Sequence, residues 1–294
     1  MDRVPYFFCD SVAQLLNDEQ QMYRLMGILR KRCYNWCAAL RAHRSNRVNF
    51  TFRIEFANNQ WRHELLSVDK NGAFSFEELS VSKKAKFMRI DRVDICETTK
   101  STACFATTFH NLQVMLRAIK KFAPSPAVKI GNVRRIKKDE LSTIFSILED
   151  LQIIACLTYA HSKLIESFIL RRMKSGYLKE LNIHSKGWSH EFGNELQKFA
   201  MQPQMRRLDC LQNCDLVIRK RVIEYLFRIR SLKPCPRPRI YDIRLDFPAK
   251  EMETMHPELQ KHKEDGVIYW WTKNNTHIQA YLVHSHAKIK IYRI

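Results

Sequence analysis

The sequence predicts an α+β fold: N-terminal helices and a small antiparallel sheet, then stacked β-α units and a C-terminal β meander. Three observations predict it. Apolar residues recur at helical spacing over the first 45 residues, and the period switches to strict alternation at Val48. Further on, a short apolar strand followed by a helical pattern returns at a 27-residue offset. These transitions divide the chain into a helical segment 1–45, a small β-rich region 46–125, a repeat-like β-α region 126–247 and a β meander cap 248–294.

The elements follow in order. After Val4-Pro5, the residues Phe8, Val12, Leu15 and Leu16 keep helical spacing, as do Met22, Leu25, Met26 and Leu29 beyond a polar break. Cys33, Trp36, Cys37 and Leu40 line a third helical face. Val48, Phe50, Phe52, Ile54 and Phe56 then alternate as a half-buried strand does. Asn58-Asn59 supplies a turn, and Trp61 to Val68 returns as the second arm of a hairpin. Phe87 to Ile95 reads as a third strand, with Met88, Ile90, Val93 and Ile95 apolar.

The repeat is the most informative stretch. Leu178, Leu181 and Ile183 correspond to Met205, Leu208 and Cys210, and to Leu151, Ile154 and Cys156 one offset earlier. Helical patterns follow each: Leu164, Ile165, Phe168 and Ile169; Phe192, Leu196, Phe199 and Ala200; Val222, Ile223, Leu226 and Phe227. One such unit cannot bury its own apolar face, so neighbours stack and share a core, which makes this region leucine-rich-repeat-like. Val128 to Ile130 with Leu141, Ile144, Phe145 and Leu148 fit a preceding unit, and Ile240 to Phe247 a following one. Prolines 234, 236 and 238 end the last repeat helix. Three strands complete the chain, Val267 to Trp271, Thr276 to Val283 and Lys288 to Ile294, with turns at 273–275 and at Ser285-His286.

Composition narrows function. Only 7 glycines occur, none spaced for GxGxxG or GxxxxGK, so neither a dinucleotide fingerprint nor a P-loop is present. GxSxG and HExxH are absent too; His190-Glu191 lacks the second histidine. Glu77-Glu78 reads as the first turn of a helix and not as an acid-base pair. No catalytic residue, cofactor site or metal site is assigned, and the expectation is a chain that is not an enzyme. The longest apolar runs, such as Leu151 to Leu157, fall far short of the roughly 20 residues that cross a bilayer. Nine cysteines without a CxxC pair, in a chain with no signal-peptide pattern, point to reduced thiols in the cytoplasm or nucleus.

Fifty Lys+Arg against 30 Asp+Glu give +20. The excess gathers in 30–47, in 98–138, where nine Lys/Arg meet no acid, and in 219–239. Basic nucleic-acid binding is therefore the alternative function. Cys33/Cys37 and Cys210/Cys214 have half-zinc-site spacing, with His43, His184 and His190 as conceivable partners, yet each pair equally fits a packed face. His284 and His286 on one side of a strand suit either a metal or pH-sensing role or plain edge-strand surface, with His277 nearby. Trp188 and Trp270 are the partner-binding candidates, because tryptophan is enriched in interface hot spots; a loop anchor is the other reading of Trp188.

Several stretches together carry a resemblance: Val4 to Val12, Trp36 with Arg44 to Arg47, Gly176 to Ile183 with Trp188, Met205 to Leu208, and Val267 to Trp270. Over nearly its whole length the chain resembles the nematode F-box-associated proteins, with 1–45 as the F-box-like segment. The resemblance implies a protein-protein interaction module, a substrate receptor for a cullin-type ubiquitin ligase. Its N-terminal helices would bind a Skp-type adaptor and its C-terminal region a substrate protein. Adaptor contact would fall to Val4, Pro5, Phe8, Val12 and Trp36. No membrane partner is expected.

Overall fold

A computed structural model describes residues 4–16, 19–29, 33–67, 72–80, 85–99, 103, 105–210, 214–230, 239–248, 251, 254–255, 260–264, 267–271, 276–283 and 286–293. The fold is α+β, in two compact units, Met1–Gln152 and Ile153–Ile294.

The first unit begins with three helices, α1 (Tyr6–Leu15), α2 (Glu19–Leu29) and α3 (Tyr34–Asn46). Pro5 stands immediately before α1, where a missing N–H costs no helical bond. Cys9, Ala13, Met22, Ala39 and Leu40 form the shared core, with Val4, Leu16, Leu25, Met26, Leu29 and Trp36 packed on it. The carbonyl end of α1 is held by cations. Arg47 donates to Leu16 O at 2.7 Å and to Ala13 O at 2.9 Å, and Arg89 donates to Gln14 O. Guanidinium groups at a helix C-terminus satisfy its orphan carbonyls and its dipole together.

The sheet of this unit joins β1 (Val48–Ala57), β2 (Gln60–Ser67), β3 (Ala73–Phe74), β4 (Met88–Glu97), β5 (Phe105–Thr107) and β6 (Ala127–Ile130). Asn58 and Asn59, with φ of 51° and 60°, make the left-handed two-residue turn that matches strand twist. The expectation of an antiparallel sheet needs correction, because the sheet is mixed. β1, β2 and β3 run antiparallel, as do β2 and β5, whereas β4 lies parallel on the other side of β1 and β6 parallel to β4. β3 runs the same way as β1 and β4, so the connection from β3 to β4, which contains α4 (Phe76–Ser80), is a crossover past β2 and β1, and a crossover joins parallel strands. Glu77 and Glu78 do open a helix. Ser75 Oγ accepts from Glu78 N at 3.1 Å while Glu78 Oε2 accepts from Ser75 N at 2.9 Å, a reciprocal capping box.

In β4 the register against β1 slips at Phe50/Thr51, leaving Asp91 as the extra residue. This bulge returns Ile90, Val93 and Ile95 to one buried face despite their uneven spacing. Two helices, α5 (Phe109–Ala118) and α6 (Lys138–Leu148), bury Leu112, Met115, Leu116, Ile144, Phe145 and Leu148. At the end of β6, a Cβ on Gly131 would stand 2.8 Å from the Cys96 Cβ, so only glycine fits there.

The second unit alternates β7 (Ala155–Thr158), α7 (Lys163–Lys174), β8 (Glu180–Ile183), α8 (His190–Met201), β9 (Arg207–Cys210), a short β10 (Val217–Ile218), α9 (Lys220–Arg230) and β11 (Arg239–Leu245). β7, β8, β9 and β11 are consecutive parallel neighbours, and β10 pairs parallel with β11. Cys156, Leu181, Leu208 and Tyr241 share one register row, all 1% exposed or less. Tyr241 donates its hydroxyl to Ala200 O of α8, which identifies this as the helix-covered face. Ser162 and Ser189 cap α7 and α8 by accepting from Ile165 N and Phe192 N.

The repeat therefore exists, with one correction of register. Leu181 pairs with Leu208 at the expected offset, but Cys156 pairs with Leu181, so Ile153 and not Leu151 corresponds to Leu178. Both are buried, at 0% and 4% exposed, which is why the sequence period can be laid on either.

The meander continues the sheet beyond β11 as β15 (His286–Arg293), β14 (Thr276–Val283), β13 (Val267–Trp271) and β12 (Gln260–Glu264), all antiparallel. The strand β12 adds to the three expected. His286 is the first residue of β15 rather than part of a turn, held by pairing to both Val283 and Arg244. His284 and prolines 234, 236 and 238 lie outside the described residues.

Candidate interaction surfaces

In the N-terminal helices the five expected adaptor-contact residues divide by exposure. Phe8 stays 56% exposed, and its ring meets Trp36 edge-on with centroids 6.0 Å apart. Pro5 is exposed, while Val12 and Trp36 are half-buried. Val4 packs on the helical core, and its carbonyl accepts from Asn35 Nδ2 at 3.0 Å. The structure thus joins Phe8 and Trp36 directly and turns Val4 inward.

Three more side chains belong with them. Phe7 is 83% exposed on α1, Ile28 75% on α2 and Tyr34 82% at the start of α3. Sequence periodicity passes over them because it selects the core stripe, and these residues sit on the opposite helical faces. Large apolar side chains on a face that should be polar are the signal that finds them. Tyr23 is also exposed, with the Arg44 guanidinium over its ring at 3.9 Å and donating to its hydroxyl.

Asp10 of α1 also makes a charged tie. His43 Nε2 is 3.0 Å from Asp10 Oδ1, and Lys86 Nζ is 3.3 Å from the other Asp10 oxygen. Burial lowers the His43 pKa even though Asp10 pulls it upward. His63 on β2 is lowered by burial as well, against a weaker pull from Glu77.

In the second unit Trp188 is not available to a partner, which corrects its assignment as a contact residue. It is 8% exposed, lies against Phe192 with centroids 4.3 Å apart, meets His161 at 4.8 Å, and donates its indole N–H to Ser185 O at 2.9 Å. Gly187, at φ 90°, turns the chain so that the ring enters the stack. Trp270 lies in β13, and its side chain is outside the described residues.

A carboxylate braces the same corner. Glu166 accepts from the Ser189 hydroxyl and from Ser189 N at 3.4 Å, and stands 2.9 Å from His161 Nε2. Burial raises its pKa, but these bonds outweigh burial and hold the carboxyl below its ordinary value. The Ser189 hydroxyl thus bonds to the carboxylate and also caps α8 by accepting from Phe192 N at 3.1 Å. The arrangement ties the loop after β7, helix α7 and the loop before α8 into one strut.

The cysteine pairs are packing residues. Cys33, Cys37, Cys210 and Cys214 are free and buried, and burial raises the Cys210 thiol while its hydrogen bond to Cys214 lowers the latter. Cys156 is pushed up to about 12 by burial. Among the described residues no group of three or more His, Cys, Asp or Glu is arranged to hold a metal ion. His184 stacks on Tyr159 at 4.5 Å, and His190 lies beside Asn194 at 3.1 Å. Among the described residues no helix is long and apolar enough to cross a membrane. Neither a family model, nor a curated protein, nor a solved structure matches the chain.

Proposed function

We propose that this chain is a non-enzymatic protein-interaction module, a substrate receptor that docks a Skp-type adaptor of a cullin ubiquitin ligase through its N-terminal helices. The observation that carries the reading is the set of exposed apolar side chains on α1, α2 and α3, namely Phe7, Phe8, Ile28 and Tyr34. Exposing them to water is unfavourable by about 25 cal/mol per Å² of apolar area, so a covering partner recovers that energy. A protein partner also suits the parallel β-α array, whose shared flank is long and continuous. The resemblance to F-box-associated proteins names the adaptor.

The test is a calorimetric titration of the full chain with a purified Skp-type adaptor. Binding is expected, and replacing both Phe7 and Phe8 by Ser weakens it about a hundredfold, in the range set by aromatic hot spots. Absence of binding by the unaltered chain would remove the ubiquitin-ligase role.

A further inference from the structure

The basic residues of the second unit are not spread evenly around the β-α array. Between Glu166 and Glu180 the chain carries Arg171, Arg172, Lys174 and Lys179 and no acid; between Glu195 and Asp209 it carries Lys198, Arg206 and Arg207 and no acid. Both stretches run from the C-terminal half of a helix into the next strand, so both connections lie at the same edge of the parallel sheet. The opposite edge, where the strands end, holds Glu166, Glu191 and Asp215 among its cations.

The backbone aligns these connections rung by rung. Lys179 N donates to Ile154 O and Arg206 N to Lys179 O, each at 2.7 Å, so Lys179 and Arg206 are the same position in successive units. Like charges placed opposite each other on neighbouring strands are unfavourable for the isolated chain. The helix dipole explains cations in the last turns of α7 and α8, but its influence fades within a turn and does not reach Lys179 or Arg206. Among the described residues, Lys174 and Arg206 take part in no ion pair. Gly176, at φ 78°, follows α7 in the left-handed region that favours glycine, and Tyr177 next to it, in the same connection as Lys174 and Lys179, is 49% exposed.

We propose that this edge binds a single strand of nucleic acid, with phosphates on Lys174, Lys179 and Arg206 and a base stacked on Tyr177. Cations that follow a backbone, with an aromatic ring among them, are the elements of single-strand binding. An acidic peptide uses the cations but has no flat face for Tyr177, and a duplex keeps its bases out of the ring's reach. The overall charge of +20 brings such a polymer to the surface.

The experiment is fluorescence anisotropy of a labelled oligouridylate with the full chain over a series of salt concentrations. The expected result is that Lys174→Glu with Arg206→Glu weakens binding at least about tenfold and flattens the salt dependence by roughly one to two counterions. Tyr177→Ala weakens binding about tenfold with the salt slope unchanged. The paired control, Lys163→Glu with Lys186→Glu, reverses as many charges at the opposite edge, both of them exposed, and is expected to cost less than about threefold. Circular dichroism checks that each variant is folded, and Lys174→Gln with Arg206→Gln replaces any that is not. Equal loss in the control would reduce the effect to diffuse charge and overturn the proposal. It also fails if the oligonucleotide does not bind at low salt, or if oligoglutamate of matched charge displaces it at equal concentration. None of these outcomes depends on the adaptor titration, which reads different residues.

Discussion

Two tryptophans, one in each unit, sit beside a phenylalanine and serve opposite purposes. Trp188 lies against Phe192 at an interplanar angle of 33° and meets His161 edge-on, and with only 8% of its surface exposed the pair is part of the stack. Trp36 is half-buried, and its partner Phe8 stands edge-on with more than half its surface in water. The difference lies in the ring that accompanies the tryptophan. Where the companion is buried the pair holds the fold; where it is exposed the pair is a surface that something else can cover.

Mutation should separate these roles. Trp188→Ala has the largest expected effect, a loss of about 3 kcal/mol in urea unfolding followed by circular dichroism, as for other buried aromatics. A change under about 1 kcal/mol would break the contrast by making Trp188 dispensable to the stack. Next comes Glu166→Ala, which removes the strut beneath that tryptophan at an expected cost of about 2 kcal/mol, from charge-assisted hydrogen bonds. Its pH dependence has a definite sign. A carboxyl held below its ordinary value stabilises fully above the unfolded pKa, and that contribution is lost as pH falls through the lowered folded value. The wild-type protein should therefore lose stability with acid in that window more steeply than the variant. The smallest effect belongs to Phe7→Ser, which should alter stability by less than about 0.5 kcal/mol because the ring is already in water. A larger destabilisation would mean that α1 packs its outer face.

The sequence makes the β-α array legible because an apolar tag before each strand must be buried in every unit. Leu178 and Met205 are such tags, both fully buried. The same rule misplaces the first unit by two residues, since Leu151 and Ile153 are both apolar and both buried, and only backbone pairing distinguishes them. In β4 the uneven spacing of Ile90 and Val93 contains the bulge, although alternation alone does not say which residue is extra. The mixed direction of the first sheet is not legible at all, because strand direction depends on where a long connection returns. Exposure of Phe7 and Tyr34 is hidden for a related reason: a hydrophobic residue looks the same in sequence whether it is inside or outside.

The clamp on the carbonyl end of α1 has a mechanical consequence. Arg47 follows α3 and Arg89 belongs to β4, so two distant stretches grip one end of the helix that presents Phe7 and Phe8. Load applied to those rings by a bound partner passes along the helix into the strand layer, and does not swing a loose arm. The first unit can thus act as a stiff handle, transmitting orientation as well as attachment.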